Sequence, residues 1–368
     1  MRHFTLLKTS GLARCGIVHT AHGDVRTPAF CPVGTAGSVK GLTPADLSDL
    51  GAEMILANAY HLFLRPGHEA VARRGGLHRF MAWPRPILTD SGGYQIFSMR
   101  RIVRVSDDGV VFQSHLDGTR HTLTPERVIQ IEASLGADII MPLDECLPYP
   151  SDAVHAAASL DRTLAWAVRC KQAHRRTDQH LYGIVQGGFH ETVRARAVAG
   201  LCEIGFDGYA IGGLSVGEPP ELRLAMLDCV TPHLPDDQPR YLMGVGTPED
   251  LVEGVRRGVD FFDCVLPTRH ARTGALFTER GDIHIRNARW AEDDQPLDAA
   301  CGCYTCRNFS RAYLRHLFMS RELLALRLNT LHNLHYYLML MRQLRQAIEN
   351  DRLASFITAF HTRRSLGG

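Results

Sequence analysis

The sequence of 368 residues is poor in lysine and has no long apolar run, and only a few of its cysteines lie in a motif. No apolar stretch approaches the roughly 20 residues of a membrane helix, and the N-terminus lacks the apolar core of a secretory signal. The ten cysteines are scattered except for one cluster, which disfavours a disulfide framework. With 45% hydrophobic and 22% charged residues, the chain is typical of a folded protein with a sizeable core. We therefore expect a cytoplasmic location and no membrane partner.

The scarcity of lysine makes arginine the main cation. Residues 269–368 hold 15 arginines and no lysine against 9 acidic residues, a net charge of +6 that leaves −4 for the first 268 residues. A basic region of this kind suits a polyanion, and arginine binds phosphate and stacks on bases. Because the whole chain has only three lysines, a general bias toward arginine explains the pattern equally well. Charge alone leaves nucleic-acid binding open.

Eight short apolar runs alternate with segments of helical period. The runs cover residues 28–33, 54–64, 86–90, 137–144, 181–186, 208–214, 240–245 and 261–266. Helices are predicted over residues 43–50, 125–135, 152–174, 191–204, 220–229 and 248–257. Eight strand–helix units predict an α/β fold, a (β/α)₈ TIM barrel. Residues 3–27 and 101–124 are strand-like outside this repeat, with a hairpin signal in the second, and are expected to cap or decorate the barrel. The first is expected to form an N-terminal hairpin cap.

Most of the apolar runs end in polar or glycine-rich residues. Such endings follow six runs: TDSGGY at 89–94, DEC at 144–146, QGG at 186–188, GGLSVGE at 212–218, MGVG at 243–246, and the aspartate at 263. One such ending alone is an ordinary turn, but barrel enzymes build their active sites at the C-terminal ends of the strands. The pattern therefore predicts one pocket, with Asp90 and Asp263 as a pair of catalytic carboxylates.

A cysteine cluster near the C-terminus predicts a metal site. Its members are Cys301, Cys303 and Cys306, and His332 follows. Three thiolates and an imidazole complete a closed tetrahedral zinc shell, so we expect one structural Zn²⁺ that supplies on the order of 10 kcal/mol of folding free energy. His316 and His335 compete with His332 for the fourth position. The predicted division is a catalytic barrel over 1–268, a zinc-binding subdomain over 269–332 and a helical segment over 333–368 that packs back on the barrel.

An ordered series of motifs resembles the bacterial form of the tRNA-guanine transglycosylases over essentially the full length. The matching segments are ILANAYHLFLRPG at 55–67, TDSGGYQ at 89–95, SHLDG at 114–118, DEC at 144–146, VQGG at 185–188, GGLSVGE at 212–218, FDCVLPTR at 262–269 and the cysteine cluster. The resemblance implies a barrel with a zinc subdomain. It also implies an enzyme that exchanges guanine at the first anticodon position of tRNA for a 7-deazaguanine, as a homodimer.

The chemistry of base exchange assigns roles to the two carboxylates. Cleavage of the C1′–N9 bond passes through an oxocarbenium-like transition state, which a carboxylate can stabilise and trap covalently. By the resemblance, Asp263 is this nucleophile. One group can protonate the departing base and deprotonate the incoming one, and Asp90 matches that role.

The resemblance also assigns residues to the base. Asp144 is expected to accept from N1–H and the amino group of guanine, and a wrong base would leave this carboxylate unpaired. Gln186 and the backbone N–H of Gly213 would donate to the base carbonyl. Tyr94 and Met243 would sandwich the ring, although Met243 by itself is equally well core filler.

The pocket around the 7-substituent favours 7-aminomethyl-7-deazaguanine. Val216 and Cys146 match the bacterial form, whereas the eukaryotic enzyme has a smaller residue in place of Val216. The resemblance puts the Leu214 carbonyl at the aminomethyl group, with Glu218 steadying the neighbouring peptide. For RNA, Thr268, Arg269 and Arg272 are candidate contacts, although His270 and Thr273 stand where the family commonly has asparagine.

Other functions share these features. The archaeal relative acts at another tRNA position but typically carries additional RNA-binding domains that this chain is too short to hold. A non-catalytic accessory subunit that binds tRNA, or a hydrolytic N-glycosylase, would use the same barrel. The three retained aspartates argue against the first and the deazaguanine-shaped pocket against the second. The expected partners are therefore the anticodon loop of GUN tRNAs (those for Asp, Asn, His and Tyr) and a 7-deazaguanine.

Overall fold

The computed structural model describes residues 3–98 and 104–365. The strands are β1 Phe4–Ser10, β2 Ala13–Thr20, β3 Gly23–Thr27, β4 Ala29–Pro32, β5 Ile55–Asn58, β6 Ile87–Asp90, β7 Arg104–Ser106, β8 Gly109–Gln113, β9 Arg120–Leu123, β10 Ile139–Ile140, β11 His180–Val185, β12 Gly208–Ile211, β13 Arg240–Leu242, β14 Phe261–Cys264, β15 Ala275–Thr278 and β16 Gly281–His284. The helices are α1 Pro44–Asp49, α2 Ala59–Leu64, α3 His68–Ala72, α4 Gly76–Phe80, α5 Gly93–Ser98, α6 Pro125–Leu135, α7 Ala153–Ala173, α8 Glu191–Ile204, α9 Pro220–Val230, α10 Pro248–Arg256, α11 Leu266–Thr273, α12 Tyr304–Asn308, α13 Arg311–Met319, α14 Leu323–Glu349 and α15 Leu353–Ser365.

Eight parallel strands form the barrel. They pair in the order β4, β14, β13, β12, β11, β10, β6, β5. A parallel bridge between Val33 and Leu56 joins the two end strands. The predicted (β/α)₈ fold is therefore confirmed, and the carboxyl ends of all eight strands lie at one mouth.

Most of the predicted apolar runs extend beyond their strands, and two of them do so by the largest margin. The run over residues 54–64 holds a strand only at Ile55–Asn58, and α2 begins at the next residue. The turn occurs because the Asn58 side chain caps α2 by accepting a hydrogen bond from the backbone N–H of His61. The run over residues 137–144 holds a strand only at Ile139–Ile140, and Met141 onward is non-repetitive. Both corrections fall on residues that lead into the mouth.

The N-terminal strands cover the other end of the barrel. Strands β1, β2 and β3 form an antiparallel sheet, and its buried Phe4, Val18 and Val25 pack with barrel residues such as Phe261 in one apolar cluster. Arg14 of β2 makes a buried ion pair, 2.7 Å from Nη2 to Oδ2, with Asp260 at the start of β14. The predicted N-terminal cap is therefore confirmed, but it is a three-stranded sheet and not a hairpin.

The strand-like stretch at 101–124 also forms an antiparallel sheet, made of β7, β8 and β9. The hairpin signal is the Asp-Gly pair at residues 108 and 109, and the turn lies at Asp107 and Asp108. Residues 101–103 of that prediction lie outside the described part of the chain. Helix α14 runs through the predicted boundary at residue 332, so the division into subdomains stays a prediction. No helix in residues 3–98 and 104–365 is both long and apolar enough to cross a membrane.

Candidate active site and metal centre

One cavity of about 430 Å³ opens at the carboxyl ends of the barrel strands. The predicted residues that line it are Asp90, Tyr94, Asp144, Cys146, Gln186, Gly213, Leu214, Val216, Met243, Asp263 and Arg269. They come from six separate strand–loop junctions and from the start of α11, so the fold brings together what the sequence keeps far apart. Of the predicted base-binding residues, Glu218 alone does not line the cavity among the described residues.

Asp263, at the end of β14, is held through one of its two oxygens. The Tyr241 hydroxyl donates to Oδ1 at 2.5 Å, and the backbone N–H of Gly244 donates to the same atom at 2.7 Å. Burial raises the pKa of Asp263, while the bond from Tyr241 opposes that rise. The carboxylate is therefore oriented by two donors on the neighbouring loop and strand, a condition for a positioned nucleophile.

Asp90, at the end of β6, has a different environment. Its Oδ2 accepts hydrogen bonds from Asn58 Nδ2 at 2.6 Å and from Gln95 Nε2 at 3.2 Å. Burial, followed by the nearby charge of Asp263, raises the pKa of Asp90 to about 7. Among the described residues Oδ1 of Asp90 is buried without a hydrogen-bond partner. A carboxyl group with a pKa near neutrality can both give and take a proton at working pH.

Asp144 lies deeper in the cavity and is 4% exposed. Its Oδ2 accepts from Gln186 Nε2 at 2.7 Å and its Oδ1 from Ser91 Oγ at 3.4 Å. Burial raises the pKa of Asp144 to about 6, against the effect of the Gln186 bond. Gly93 is required beside it, because a Cβ there would lie 2.2 Å from Asp144 Oδ1. The Gln186 amide and the Asp144 carboxylate are therefore held against each other in the cavity.

The loop over residues 212–218 is fixed by Glu218. This buried carboxylate accepts from the backbone N–H of Ser215 at 2.6 Å and of Val216 at 2.8 Å, and it pairs with Arg223 at 3.2 Å. The Ser215 N–H belongs to the peptide whose carbonyl is that of Leu214. Glu218 therefore holds the backbone of the cavity wall in place without lining the cavity itself.

Four residues that shape the site carried no role in the sequence prediction. Tyr241 lies on β13, at a position that the apolar pattern of the sequence assigns to the core. Asn58 and Gln95 lie inside matched motifs, and nothing in their spacing points to Asp90. Buried Arg194 of α8 donates to the carbonyls of Gly188 and Gly212 at 2.7 and 3.0 Å, which links two loops of the mouth. A helical arginine is usually solvated, so this link had no sequence signal.

The three predicted RNA contacts are placed differently. Arg269 lines the cavity. Thr268 is buried and its hydroxyl donates to the Val265 carbonyl at 3.2 Å. Arg272 is exposed, outside the cavity, and donates to the Thr268 carbonyl at 3.0 Å. The RNA roles of all three residues stay predictions.

The cysteine cluster and His332 converge on one point. The Nδ1 atom of His332 lies 3.8, 3.6 and 3.3 Å from the sulfurs of Cys301, Cys303 and Cys306. The other ring nitrogen, Nε2, donates to the Phe277 carbonyl at 2.7 Å, which leaves Nδ1 free as a ligand.

These four residues can therefore hold a metal ion. Of the competing histidines, His335 has its Nδ1 3.5 Å from the Cys301 sulfur but lies outside the four-residue group. His316, on α13, also lies outside it.

The chain also matches known proteins over nearly its full length. A family model described as Queuine tRNA-ribosyltransferase matches residues 9–365. The chain is 59% identical over 352 residues to the Queuine tRNA-ribosyltransferase of Syntrophobacter fumaroxidans (strain DSM 10017 / MPOB), covering 96% of this chain and 94% of the relative. It is 55% identical over 363 residues to that of Methylobacillus flagellatus (strain ATCC 51484 / DSM 6875 / VKM B-1610 / KT), covering 99% and 98%.

Proposed function

We infer that this chain, which belongs to the queuine tRNA-ribosyltransferase family, is a tRNA-guanine transglycosylase of queuosine synthesis. The observation that carries this proposal is the meeting of Asp90, Asp144 and Asp263 at one cavity in three different environments. The substrates we propose are tRNAs with a GUN anticodon and 7-aminomethyl-7-deazaguanine. The target base has to leave its stack to enter a barrel mouth, which suits an anticodon loop.

In the first half-reaction Asp263 attacks C1′ of the ribose. The electron pair of the C1′–N9 bond leaves with guanine, Asp90 gives guanine its proton, and an ester joins Asp263 to the ribose. In the second half-reaction Asp90 takes the N9 proton of the incoming deazaguanine. That nitrogen then attacks C1′ and the ester bond to Asp263 breaks, so the strand is never cut.

Other residues of the cavity recognise the base. Asp144 accepts from N1–H and the amino group, which releases the Gln186 amide to donate to the base carbonyl together with the Gly213 N–H. Tyr94 and Met243 stack on the two faces of the ring. Because adenine lacks these two adjacent donors, Asp144 would stay buried and unpaired with it, at a cost of several kcal/mol. Val216 and Cys146 leave room for the aminomethyl group beside the Leu214 carbonyl.

The two half-reactions should respond to pH in opposite directions. Guanine release needs Asp144 and Asp263 ionised and Asp90 protonated, so its single-turnover rate should rise through about pH 6, where Asp144 ionises, and fall above about pH 7. Burial also raises the pKa of Asp263, so Asp263 contributes to the same acid limb. Deazaguanine incorporation needs Asp90 ionised, and its rate should rise through about pH 7. Rapid-quench assays of each half-reaction measure this. A guanine-release rate that keeps rising to pH 9 contradicts the role of Asp90 as the acid.

Tyr241→Phe tests how Asp263 is positioned. Loss of the 2.5 Å bond leaves only the Gly244 N–H on Oδ1, and a bond to an ionised group is worth about 1.5–3 kcal/mol. We expect guanine release to slow by roughly 10- to 100-fold, with the KM for tRNA unchanged and the acid limb of the pH profile moved upward. Tyr182→Phe, a buried tyrosine on β11, is the matched control. An unchanged rate and profile in Tyr241→Phe would show a purely structural role.

The proposal itself is tested by incubating the protein with a GUN tRNA and 7-aminomethyl-7-deazaguanine. We expect guanine release and base incorporation in a one-to-one ratio, with no reaction of a tRNA that has adenine at the same position. Guanine release that leaves an abasic tRNA would identify a hydrolase. Binding without release would identify an accessory subunit.

Several finer features complete the proposal. We propose that the ion held by the cysteine cluster is Zn²⁺, because closed sites of three thiolates and one imidazole are typical of structural zinc. Arg269, Arg272 and Thr268 are proposed to contact the anticodon loop, with Arg269 nearest the base. The tRNA substrate implies a cytoplasmic location, and family membership supports a homodimer.

A further inference from the structure

A second group of metal-binding side chains lies at the opposite end of the barrel from the active site. It consists of His22 in the turn between β2 and β3, His78 on α4, and Asp138 just before β10. One ligand atom from each lies within 4.8 Å of the others. The two imidazole rings stack with centroids 3.5 Å apart, and both face the same carboxylate. Neither the active site nor the cysteine cluster involves these residues.

The carboxylate is buried without a permanent counter-charge. The side chain of Asp138 is 0% exposed, and its ion-pair partners among the described residues are His22 Nδ1 at 2.8 Å and His78 Nε2 at 3.0 Å. Arg176 feels the charge of Asp138 but pairs at 2.6 Å with Asp178. A buried anion in this position favours a cation beside it.

We propose that His22, His78 and Asp138 bind a divalent first-row transition ion that fastens the N-terminal sheet to the barrel. Two imidazoles and a carboxylate are a suitable donor set for such an ion, and water completes its coordination on the open side. Each imidazole binds as its other neutral tautomer, so the proton now directed at Asp138 moves to the opposite ring nitrogen. The His22 side chain is 39% exposed, which allows its ring to tilt out of the stack toward a shared ion.

The carboxylate of Asp138 is held in a fixed orientation by backbone hydrogen bonds. The backbone N–H groups of Ile87 and His22 donate to its two oxygens at 2.9 and 3.2 Å. Hydrogen bonds of this kind orient a coordinating carboxylate and are retained when the ion binds. The ion would tie together three elements, namely the β2–β3 turn, α4 and the barrel strand that follows Asp138.

The experiment measures bound metal after dialysis of the full-length protein against micromolar Zn²⁺. The test variant is His22→Gln, whose amide still donates to Asp138 but is a poor metal ligand. The control is His19→Gln on the same sheet, because His19 pairs with Asp24 instead. We expect two zinc equivalents in the wild type and in His19→Gln, and one in His22→Gln. The affinity of the second site should fall about 100-fold or more with loss of a ligand.

Co²⁺ separates the two sites by spectrum. Added to protein that retains zinc at the cysteine cluster, Co²⁺ should give weak visible bands with no sulfur-to-metal charge transfer, and His78→Gln should abolish them. Zn²⁺ should raise the melting temperature of the wild type but not of His22→Gln. A single zinc equivalent in the wild type, or equal metal content in wild type and His22→Gln, would overturn the proposal. The three side chains would then be joined by hydrogen bonds alone.

Discussion

Asp263→Asn is expected to abolish both the covalent tRNA adduct and base exchange, with a rate loss of at least about 10⁴-fold. The amide has nearly the shape of the carboxylate and its carbonyl can still accept from Tyr241, but it cannot form the ester with C1′. Denaturing gel electrophoresis after incubation with tRNA measures the adduct, and guanine release measures the exchange. The binding of tRNA should be little changed.

The melting temperature provides the control for this variant. Burial raises the pKa of Asp263, so the ionised side chain costs stability in the folded state at pH 8. Removing that charge should leave the melting temperature at pH 8 equal to or higher than that of the wild type. An Asp263→Asn protein that is well folded and still forms the adduct would assign the nucleophile to another residue.

Loss of the metal from the cysteine cluster should have the largest effect on stability. Cys303→Ser is expected to lose the ion and, with it, on the order of 10 kcal/mol of folding free energy in the surrounding segment. Hydrogen exchange should increase around α12 and in the first half of α14, while the barrel strands stay protected.

Cys229→Ser is the matched control, because Cys229 is a partly exposed cysteine on α9 outside the cluster. It should keep both the metal and the exchange pattern of the wild type. Equal metal content in Cys303→Ser and the wild type would contradict the assignment of the ligands.

Much of the fold was predictable from local signals. The predicted bounds of α6 and α8 agree with the structure. For α6 the reason is visible, because Thr124 caps its first turn and Gly136, at φ +75°, ends it. The run at 54–64 was predicted as one strand because it is apolar across both a strand and the helix that follows. The change from strand to helix depends on the side chain of Asn58. An apolar run carries no sign of where such a change occurs.

Some residues of the site were likewise predictable from the sequence, and others were not. Asp90 and Asp263 stood out because each is an acidic residue where an apolar run gives way to a loop, and the cysteine cluster stood out by spacing. Tyr241 did not, since a buried tyrosine on a strand resembles any core aromatic until the neighbouring strand places a carboxylate against it. The group of His22, His78 and Asp138 was also not predictable, because its members are separated by 56 and 60 residues and share no motif. Such contacts arise from barrel closure and capping.

The most direct test of the central claim is to find which side chain carries the ribose. The protein is trapped with a GUN tRNA, digested with nuclease and protease, and the modified peptide is sequenced by mass spectrometry. A ribosyl group on Asp263, absent from Asp263→Asn and removed when 7-aminomethyl-7-deazaguanine is added before quenching, is the predicted result. A ribosyl group on Asp90, or exchange in single-turnover experiments with no protein-bound ribose, would contradict the double displacement.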